Sequence, residues 1–454
     1  MSRQLFGTDG IRGVAGKYPL DPETIFAAGA SLGAWCREHS PAGEAPEVVI
    51  GMDTRESGPW IAEQMAGGLA SEGVRGRLAG LITTPGVAYL TKNDDFVAGV
   101  MISASHNPFQ DNGIKVFAHT GYKLPDADEL KIEQGIFGLK KPGITAVPAK
   151  MDLDPSLDER YVEHLVSTLP GRLTGMKIVV DCGNGAASHL GPALFERLGA
   201  QVIKMGCEPD GRNINKDCGA LHVGQLCSRV VAEGADAGFA FDGDADRCIG
   251  VSSSGAIIDG DAVLLIVARY LKSQGRLASN DGSDVVVATV MSNLGFERAL
   301  ERDGITLVRT AVGDKYVLEE MVRRGAPIGG EQSGHLIFLE HATTGDGMLT
   351  ALRILEIMAT TGESLDALTA GLQVYPQKLV NVRVKERKPL IDLSAVQGAI
   401  LSAERELGTE GRVLVRFSGT EPLLRVMVEG PTDESVDTHC ASIAGAIRQE
   451  LGSV

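Results

Sequence analysis

The chain has 454 residues, 43% hydrophobic and 22% charged, a balance that excludes a disordered or collagen-like protein and leaves room for about three domains. A formal net charge of −16 excludes a general binder of nucleic acid or of anionic membrane, since both need a basic surface. A phosphorylated ligand is still allowed, because a few local arginines and lysines can hold one, and with aromatics at only 5% the core must come from Val, Leu, Ile and Ala.

Met1 to Gly16 has no apolar run behind a basic start, so no secretory signal is expected there. One unit then recurs three times. Val48–Gly51 predicts a buried strand, Trp60–Glu72 a helix, and Leu78–Thr83 a second strand. Lys177–Asp181, Ala187–Leu198 and Gln201–Met205 repeat the pattern, as do Asp284–Val290, Leu294–Asp303 and Ile305–Arg309. Short β-branched runs alternating with amphipathic helices indicate βαβ units, hence three related α/β domains with mainly parallel sheets. From about Leu372 the character changes. Val380–Val384 and Arg412–Phe417 alternate apolar and polar residues, as half-buried antiparallel strands do, and helices are predicted at Leu393–Leu407 and Asp433–Leu451. This end reads as a smaller C-terminal α+β domain.

No stretch reaches the roughly 20 apolar residues of a membrane helix. Seven cysteines without a C-x-x-C pair read as reduced, structural thiols; Cys207, Cys218, Cys227 and His222 fit no zinc spacing. A soluble, cytoplasmic protein is expected. Three familiar signatures fail. Gly183-Asn-Gly185-Ala-Ala-Ser188 has Ser where a dinucleotide fingerprint needs its third glycine, and reads as a tight βα turn. Gly16-Lys17 lacks the other glycine and the hydroxyl of a Walker loop. Asp242-Gly-Asp-Ala-Asp246 starts like an EF-hand, but Arg247 and Ser253 stand where Gly and Glu are required.

Asp242, Asp244 and Asp246 nevertheless share one face if the segment is extended. They form either a solvated acidic turn or a hard-cation site suited to Mg²⁺; the apolar run Ala237–Phe241 ahead and Arg247 behind favour the cation site. Ser105, in Ile102-Ser-Ala-Ser-His-Asn-Pro108, is a turn serine or a carrier of a phosphate ester. Its neighbour His106 is expected to point elsewhere, which argues against a Ser-His triad. Lys115 is a surface lysine or a charge serving that loop. Glu331, Ser333 and His335 alternate, one polar face suited to sugar hydroxyls. Arg416-Phe-Ser-Gly-Thr-Glu-Pro422 is a plain hairpin turn or an anion nest, with Ser418, Gly419 and Thr420 at the turn and Arg416 and Arg425 supplying charge.

Taken in order over essentially the whole chain, Phe6–Gly13, the Ser105 loop, the Asp242 triplet with Arg247, the Gly330 loop and the Arg416 loop resemble the α-D-phosphohexomutase family. The resemblance implies four domains around a central cleft, divided as 1–152, 153–255, 256–371 and 372–454. It implies that Ser105 is the phosphorylated serine and that one Mg²⁺ is held by Asp242, Asp244, Asp246 and a Ser105 phosphate oxygen. Glu331 and Ser333 would grip sugar hydroxyls, and Arg416, Ser418, Gly419, Thr420 and Arg425 the non-reacting phosphate. Thr8 to Arg12, Lys115, Arg247 and His335 would line the reacting end, with Lys115 and His335 the candidates for the hydroxyl proton. The implied reaction interconverts glucosamine 6-phosphate and glucosamine 1-phosphate through a hexose bisphosphate, which also serves as activator, and feeds amino-sugar nucleotide and cell-wall precursor synthesis. Water exclusion would require the C-terminal domain to close on the substrate. The expected partner is a small sugar phosphate, with a possible homodimer and an unidentified kinase or bisphosphate donor that first charges Ser105. Rival readings are the same chemistry on mannose or glucose phosphates, a Mg²⁺-dependent phosphatase, and a non-catalytic sugar-phosphate binder.

Overall fold

Each βαβ repeat builds a sheet of its own in a computed structural model that describes residues 4–7, 9–40, 45–140, 143–418 and 423–452. The first sheet runs in the order Phe6–Gly7, Gly10–Val14, Asp111–Ala118, Ala98–Ile102, Glu47–Met52, Arg75–Leu81. The second runs Ile257–Ile258, Cys248–Ser252, Ala237–Phe241, Lys177–Asp181, Gln201–Met205. The third runs Thr306–Thr310, Val285–Thr289, Ile328–Gly330, Leu336–Phe338. Glu47–Met52 and Lys177–Asp181 are parallel to both neighbours, and Val285–Thr289 is parallel to Ile328–Gly330.

In all three sheets the last parallel strand then turns back on itself. Ala98–Ile102 pairs antiparallel with Asp111–Ala118, Ala237–Phe241 with Cys248–Ser252, and Ile328–Gly330 with Leu336–Phe338. The sheets are therefore mixed. The first strand of each predicted unit lies inside its sheet, the second (Arg75–Leu81, Gln201–Met205, Thr306–Thr310) forms one edge, and antiparallel strands extend the other side. The return strands escaped the sequence reading because Cys248–Ser252 and Leu336–Phe338 are buried throughout and show no alternation.

This topology decides where the polar loops emerge. Residues 103–110, 242–247 and 331–335 each connect a last parallel strand to its return, so all three leave the carboxyl end of a buried strand. The strands below them are rigid and dry: Ala98–Ile102 and Ala237–Phe241 are buried at every position.

The first sheet packs against the helices Pro22–His39 and Gly58–Ser71, which bury Ile25, Leu32, Ile61, Met65 and Leu69 with Val48, Ile50, Val100 and Ile102. Asp21 starts the first helix by accepting from the Thr24 amide at 3.0 Å, with Pro22 in the first turn.

Met1–Val290 and Leu307–Ala370 form one compact unit, Met291–Thr306 and Gly371–Val454 a second. The second holds an antiparallel sheet in the order Gln377–Arg383, Leu423–Glu429, Arg412–Phe417, as the alternating pattern predicted. The helices Ser394–Leu407 and Asp433–Leu451 share a core with it through Val382, Val396, Leu424, Val426, Ile443 and Ile447. Asn293 ties the segment Met291–Thr306 into the same unit through its two hydrogen bonds to the Tyr375 backbone, at 2.9 and 3.0 Å. Among the described residues, no helix is long and apolar enough to cross a membrane, and all seven cysteines are free thiols.

The crossing of the two long N-terminal helices depends on glycine. A Cβ on Gly68 would lie 2.1 Å from the Phe26 carbonyl oxygen, in backbone that cannot give way. Gly68→Ala should therefore lower stability by about 1–3 kcal/mol in urea unfolding. Gly138→Ala, where an added Cβ meets nothing within 4 Å, should be neutral or stabilising by up to about 1 kcal/mol.

Candidate active site

Ser105 sits where the Ala98–Ile102 strand ends, with φ at +51°, the left-handed region that a serine adopts only when its surroundings impose it. Its amide donates to Ser103 Oγ at 2.9 Å, and its carbonyl accepts from Arg55 Nη2 at 2.8 Å and from Asn215 Nδ2 at 2.9 Å. Its hydroxyl donates to Asp242 Oδ2 at 2.6 Å. Gly243 makes this approach possible, since a Cβ there would lie 2.4 Å from the Ser105 carbonyl oxygen. The left-handed backbone also brings His106 Nδ1 within 3.2 Å of Ser105 Oγ, contrary to the expectation that adjacent side chains diverge. That expectation assumed an extended chain. Burial pushes His106 down to about 4, with Arg247 and Arg12 adding to the shift.

The acidic triplet converges, but through a turn and not along an extended face. The Ala245 amide donates to the Asp242 carbonyl at 3.0 Å and Ala245 has φ +55°, which folds the segment and brings one oxygen of each Asp within 4.8 Å of the others. Asp242 and Asp244 are fully buried. Burial, together with Asp246 and Asp244, holds the Asp242 carboxyl well above the usual range. Burial would raise Asp244 too, but Lys115 and the Thr84 hydroxyl outweigh it and bring that carboxyl to about 2.

Lys115 is buried, not the surface lysine that was one of the sequence alternatives. Its Nζ lies 2.8 Å from Asp244, 3.1 Å from Asp9 and 3.4 Å from Asp246. Burial opposes its charge, yet these carboxylates prevail and keep it an ammonium well above the usual lysine range. Arg12 pairs with Asp9, and Lys123 Nζ bridges Asp9 at 2.5 Å and Asp314 at 2.6 Å. Arg247 donates its amide to Asp242 Oδ1 at 3.2 Å. Asp244 Oδ1 and Asp246 Oδ1 have no hydrogen-bond donor among the described residues. Buried carboxylate oxygens left without donors, in an all-oxygen set, fit a hard cation.

Residues 331–335 also form a tight turn, so Glu331, Ser333 and His335 do not line one extended face as predicted. The Gly334 amide donates to the Glu331 carbonyl and the Glu331 amide to the His335 carbonyl. Glu331 Oε1 accepts from the Gly313 amide at 3.1 Å and Oε2 from the exposed Ser333 hydroxyl at 3.3 Å. His335 is buried, its Nε2 3.8 Å from Asp314 Oδ2, and neither ring nitrogen has a hydrogen-bond partner among the described residues.

In the second unit, Arg416 and Arg425 lie directly opposite each other on neighbouring strands. Burial and the Arg425 charge both lower the Arg416 pKa. Like charges paired in this way are destabilising unless an anion joins them. The Ser418 amide donates to the Leu423 carbonyl at 2.8 Å, and Arg387 Nη2 donates to the Ser418 carbonyl at 2.7 Å. Gly419 and Thr420, predicted to take part in anion binding, lie outside the described residues, as does Thr8.

Sequence reasoning missed Arg55, Thr84, Lys123, Asn215 and Asp314, while Asp9 fell within the Thr8 to Arg12 segment already expected at the reacting end. Asp53-Thr-Arg55 carried the clearest signal, an acid and a base directly behind the apolar strand Glu47–Met52. Thr84 and Asp314 open the helices Thr84–Asn93 and Asp314–Arg324, Lys123 and Asn215 lie between elements, and all four reach the site only through tertiary contacts.

Four domain families match the chain: Phosphoglucomutase/phosphomannomutase, alpha/beta/alpha domains I, II and III at residues 3–142, 159–255 and 259–375, and the C-terminal domain at 379–446. The chain belongs to this family, the α-D-phosphohexomutases, isomerases that act by phosphoryl transfer. Within the family it aligns end to end with phosphoglucosamine mutases. The Phosphoglucosamine mutase of Solibacter usitatus (strain Ellin6076) is 59% identical over 452 residues, which cover 100% of both chains. In fold it resembles the crystal structure of a phosphoglucomutase/phosphomannomutase family protein from Burkholderia thailandensis, with TM-score 0.80, 24% identity and coverage of 98% and 97%. It also resembles Aspergillus fumigatus N-acetylphosphoglucosamine mutase in complex with GlcNAc-6P and magnesium, with TM-score 0.63, 17% identity and coverage of 99% and 96%.

Behind the acidic turn, Asp346 caps the helix Gly347–Thr361, accepting from the Leu349 amide at 2.9 Å and from the Tyr161 hydroxyl at 2.8 Å. The Gly347 amide in turn donates to the Ala245 carbonyl at 2.9 Å. Burial raises the Asp346 carboxyl to about 6. Above that pH the folded chain carries a buried anion that the unfolded chain carries in water. As pH falls from 6 to 4 the folded state takes up its proton first and is relieved of that cost. Asp346→Asn keeps a capping oxygen and cannot ionise. Its stability relative to the parent, measured by urea unfolding, should rise by up to about 3 kcal/mol from pH 4 to pH 7. A difference that does not vary with pH would refute this.

Proposed function

We propose that this enzyme interconverts glucosamine 6-phosphate and glucosamine 1-phosphate, with Ser105 as the phosphoryl carrier. The observation that supports it most is the 2.6 Å contact of the Ser105 hydroxyl with Asp242, at the edge of a buried acidic cluster with open carboxylate oxygens. Identity to phosphoglucosamine mutases over the whole chain supports the choice of sugar. Phosphoserine Oγ–P breaks as a sugar hydroxyl oxygen bonds to phosphorus, giving a hexose bisphosphate. The serine then takes back the phosphoryl group from the other end.

Asp242, Asp244, Asp246 and a Ser105 phosphate oxygen would hold one Mg²⁺, which when bound neutralises phosphoryl charge; magnesium accompanies GlcNAc-6P in the fungal relative's structure. The remaining work falls to side chains of the chain itself. Lys115 supplies a positive charge beside the departing oxygen, and it is one of two candidates for handling the hydroxyl proton. His335 is the remaining candidate to accept the proton of the attacking hydroxyl. Arg12 and Arg247 add charge around the transferring group, and Glu331 and Ser333 hold sugar hydroxyls. The opposed Arg416 and Arg425, with Ser418, Gly419 and Thr420, take the phosphate that does not react. That site has to accept either phosphate in turn, and the planar fork of arginine suits a phosphate in either setting. The divisions after residues 152, 255 and 371 stand as the proposed domain boundaries.

The test is ³¹P NMR of the protein with Mg²⁺ and a trace of hexose bisphosphate, offered glucosamine 6-phosphate, mannose 1-phosphate or glucose 1-phosphate separately. Fastest isomerisation of the glucosamine phosphate without free phosphate is expected. Preference for another sugar overturns the substrate, and net phosphate release overturns the mutase in favour of a phosphatase. Ser105→Ala should reduce turnover to background while leaving the fold intact by circular dichroism. Asp242→Asn should raise the Mg²⁺ needed for half-maximal rate by tenfold or more, roughly, because a ligand charge is lost.

A further inference from the structure

Arg55 is a fully buried charge with no part in the chemistry assigned above; its side chain is 0% exposed. An arginine has five N–H donors in a fixed fork, and here each finds an acceptor. Nε donates to Asp53 Oδ2 at 2.8 Å. Nη1 donates to the carbonyls of Pro108 and Asp111, and Nη2 to those of Ser105 and Asn107 at 2.8 and 2.9 Å. Four of the five acceptors are thus backbone carbonyls, three in the loop that carries Ser105 and the fourth at Asp111, where that loop enters its return strand. Asp53 closes the circuit. It accepts from the Ser103 hydroxyl at 2.7 Å, and that hydroxyl accepts from the Ser105 amide at 2.9 Å. Ser105 is therefore clamped at both its amide and its carbonyl through one ion pair. Asn215, from the neighbouring sheet's loops, shares the same carbonyl at 2.9 Å.

An ion pair buried only for stability is easily replaced by apolar side chains and needs no such fork. Four convergent carbonyls serve a different purpose: they hold the loop in one shape, including the left-handed Ser105 that no local preference supports. We infer that Arg55 is a positioning residue for phosphoryl transfer, acting through the Ser105 carbonyl to aim the Ser105 hydroxyl at the acidic cluster, with Asn215 as its partner. The inference rests on the reading of Ser105 as phosphoryl carrier. It assigns Arg55 no contact with the sugar, so its loss should slow transfer without weakening substrate binding.

The experiment compares the parent with Arg55→Lys and Asn215→Ala. Phosphoserine at position 105 is quantified by peptide mass spectrometry, and kcat per mole of phosphoserine, KM for glucosamine 6-phosphate and Tm are measured. A lysine keeps the charge and loses the fork, so Arg55→Lys should lower kcat per phosphoserine by about 100-fold, with KM within about twofold. Asn215→Ala, which removes one shared hydrogen bond, should lower it by about tenfold. A merely structural Arg55 would lower Tm and the amount of folded enzyme and leave kcat per phosphoserine where it was. A value for Arg55→Lys within about threefold of the parent overturns the inference. If Arg55→Lys does not fold, Asn215→Ala decides by the same measure, an unchanged kcat overturning it. A parent that carries no phosphoserine at position 105 even after incubation with Mg²⁺ and a hexose bisphosphate removes the proposed function and this inference together. A phosphorylated parent whose Arg55→Lys variant keeps its kcat removes this inference alone.

Discussion

Burying negative charge is the constraint from which the rest of the site follows. Asp242 and Asp244 lie fully out of water, Asp246 nearly so, and Asp9 stands close by. Such a group is tolerated only with positive charge pressed against it. Lys115 answers Asp244, Asp246 and Asp9 at once, Lys123 and Arg12 answer Asp9, and Arg247 stands behind Asp246 at 3.9 Å. The neutralisation is incomplete: two aspartate oxygens keep no donor among the described residues, and the Ser105 hydroxyl leans on Asp242. The cluster could thus bind one more cation, and a serine oxygen stands at its edge.

Much of the fold was legible because parallel strands buried on both faces leave continuous apolar runs. Lys177–Asp181 and Val285–Thr289 form where periodicity placed them, and so does the helix Asp433–Leu451. The antiparallel return strands were not legible, since Cys248–Ser252 is as buried as the strand beside it and carries no alternating signature. Local pattern reports burial, and burial is shared by strands of either direction.

The site shows a similar division. Ser105, Lys115 and the three aspartates were found from residue type and spacing, and the fold brings them into contact. Their local geometry was not foreseen. An extended chain was assumed for the triplet and for Glu331 to His335, and both proved to be turns, one through Ala245 at φ +55° and one through Gly334 at φ +92°. Positive φ at alanine or serine has no signature in sequence, because only surrounding contacts can impose it. Asn215 and Lys123 were out of reach for a related reason: each matters only through a partner more than a hundred residues away.

The common strand order of the three sheets has a further consequence. The same connection, from the last parallel strand into its return, carries the serine in the first repeat, the aspartates in the second and the Glu331 turn in the third. A scaffold copied three times offers three equivalent openings, and each can diverge without disturbing the strands beneath it. In such a molecule one short connection can change while the other two, and the strands beneath all three, stay as they are.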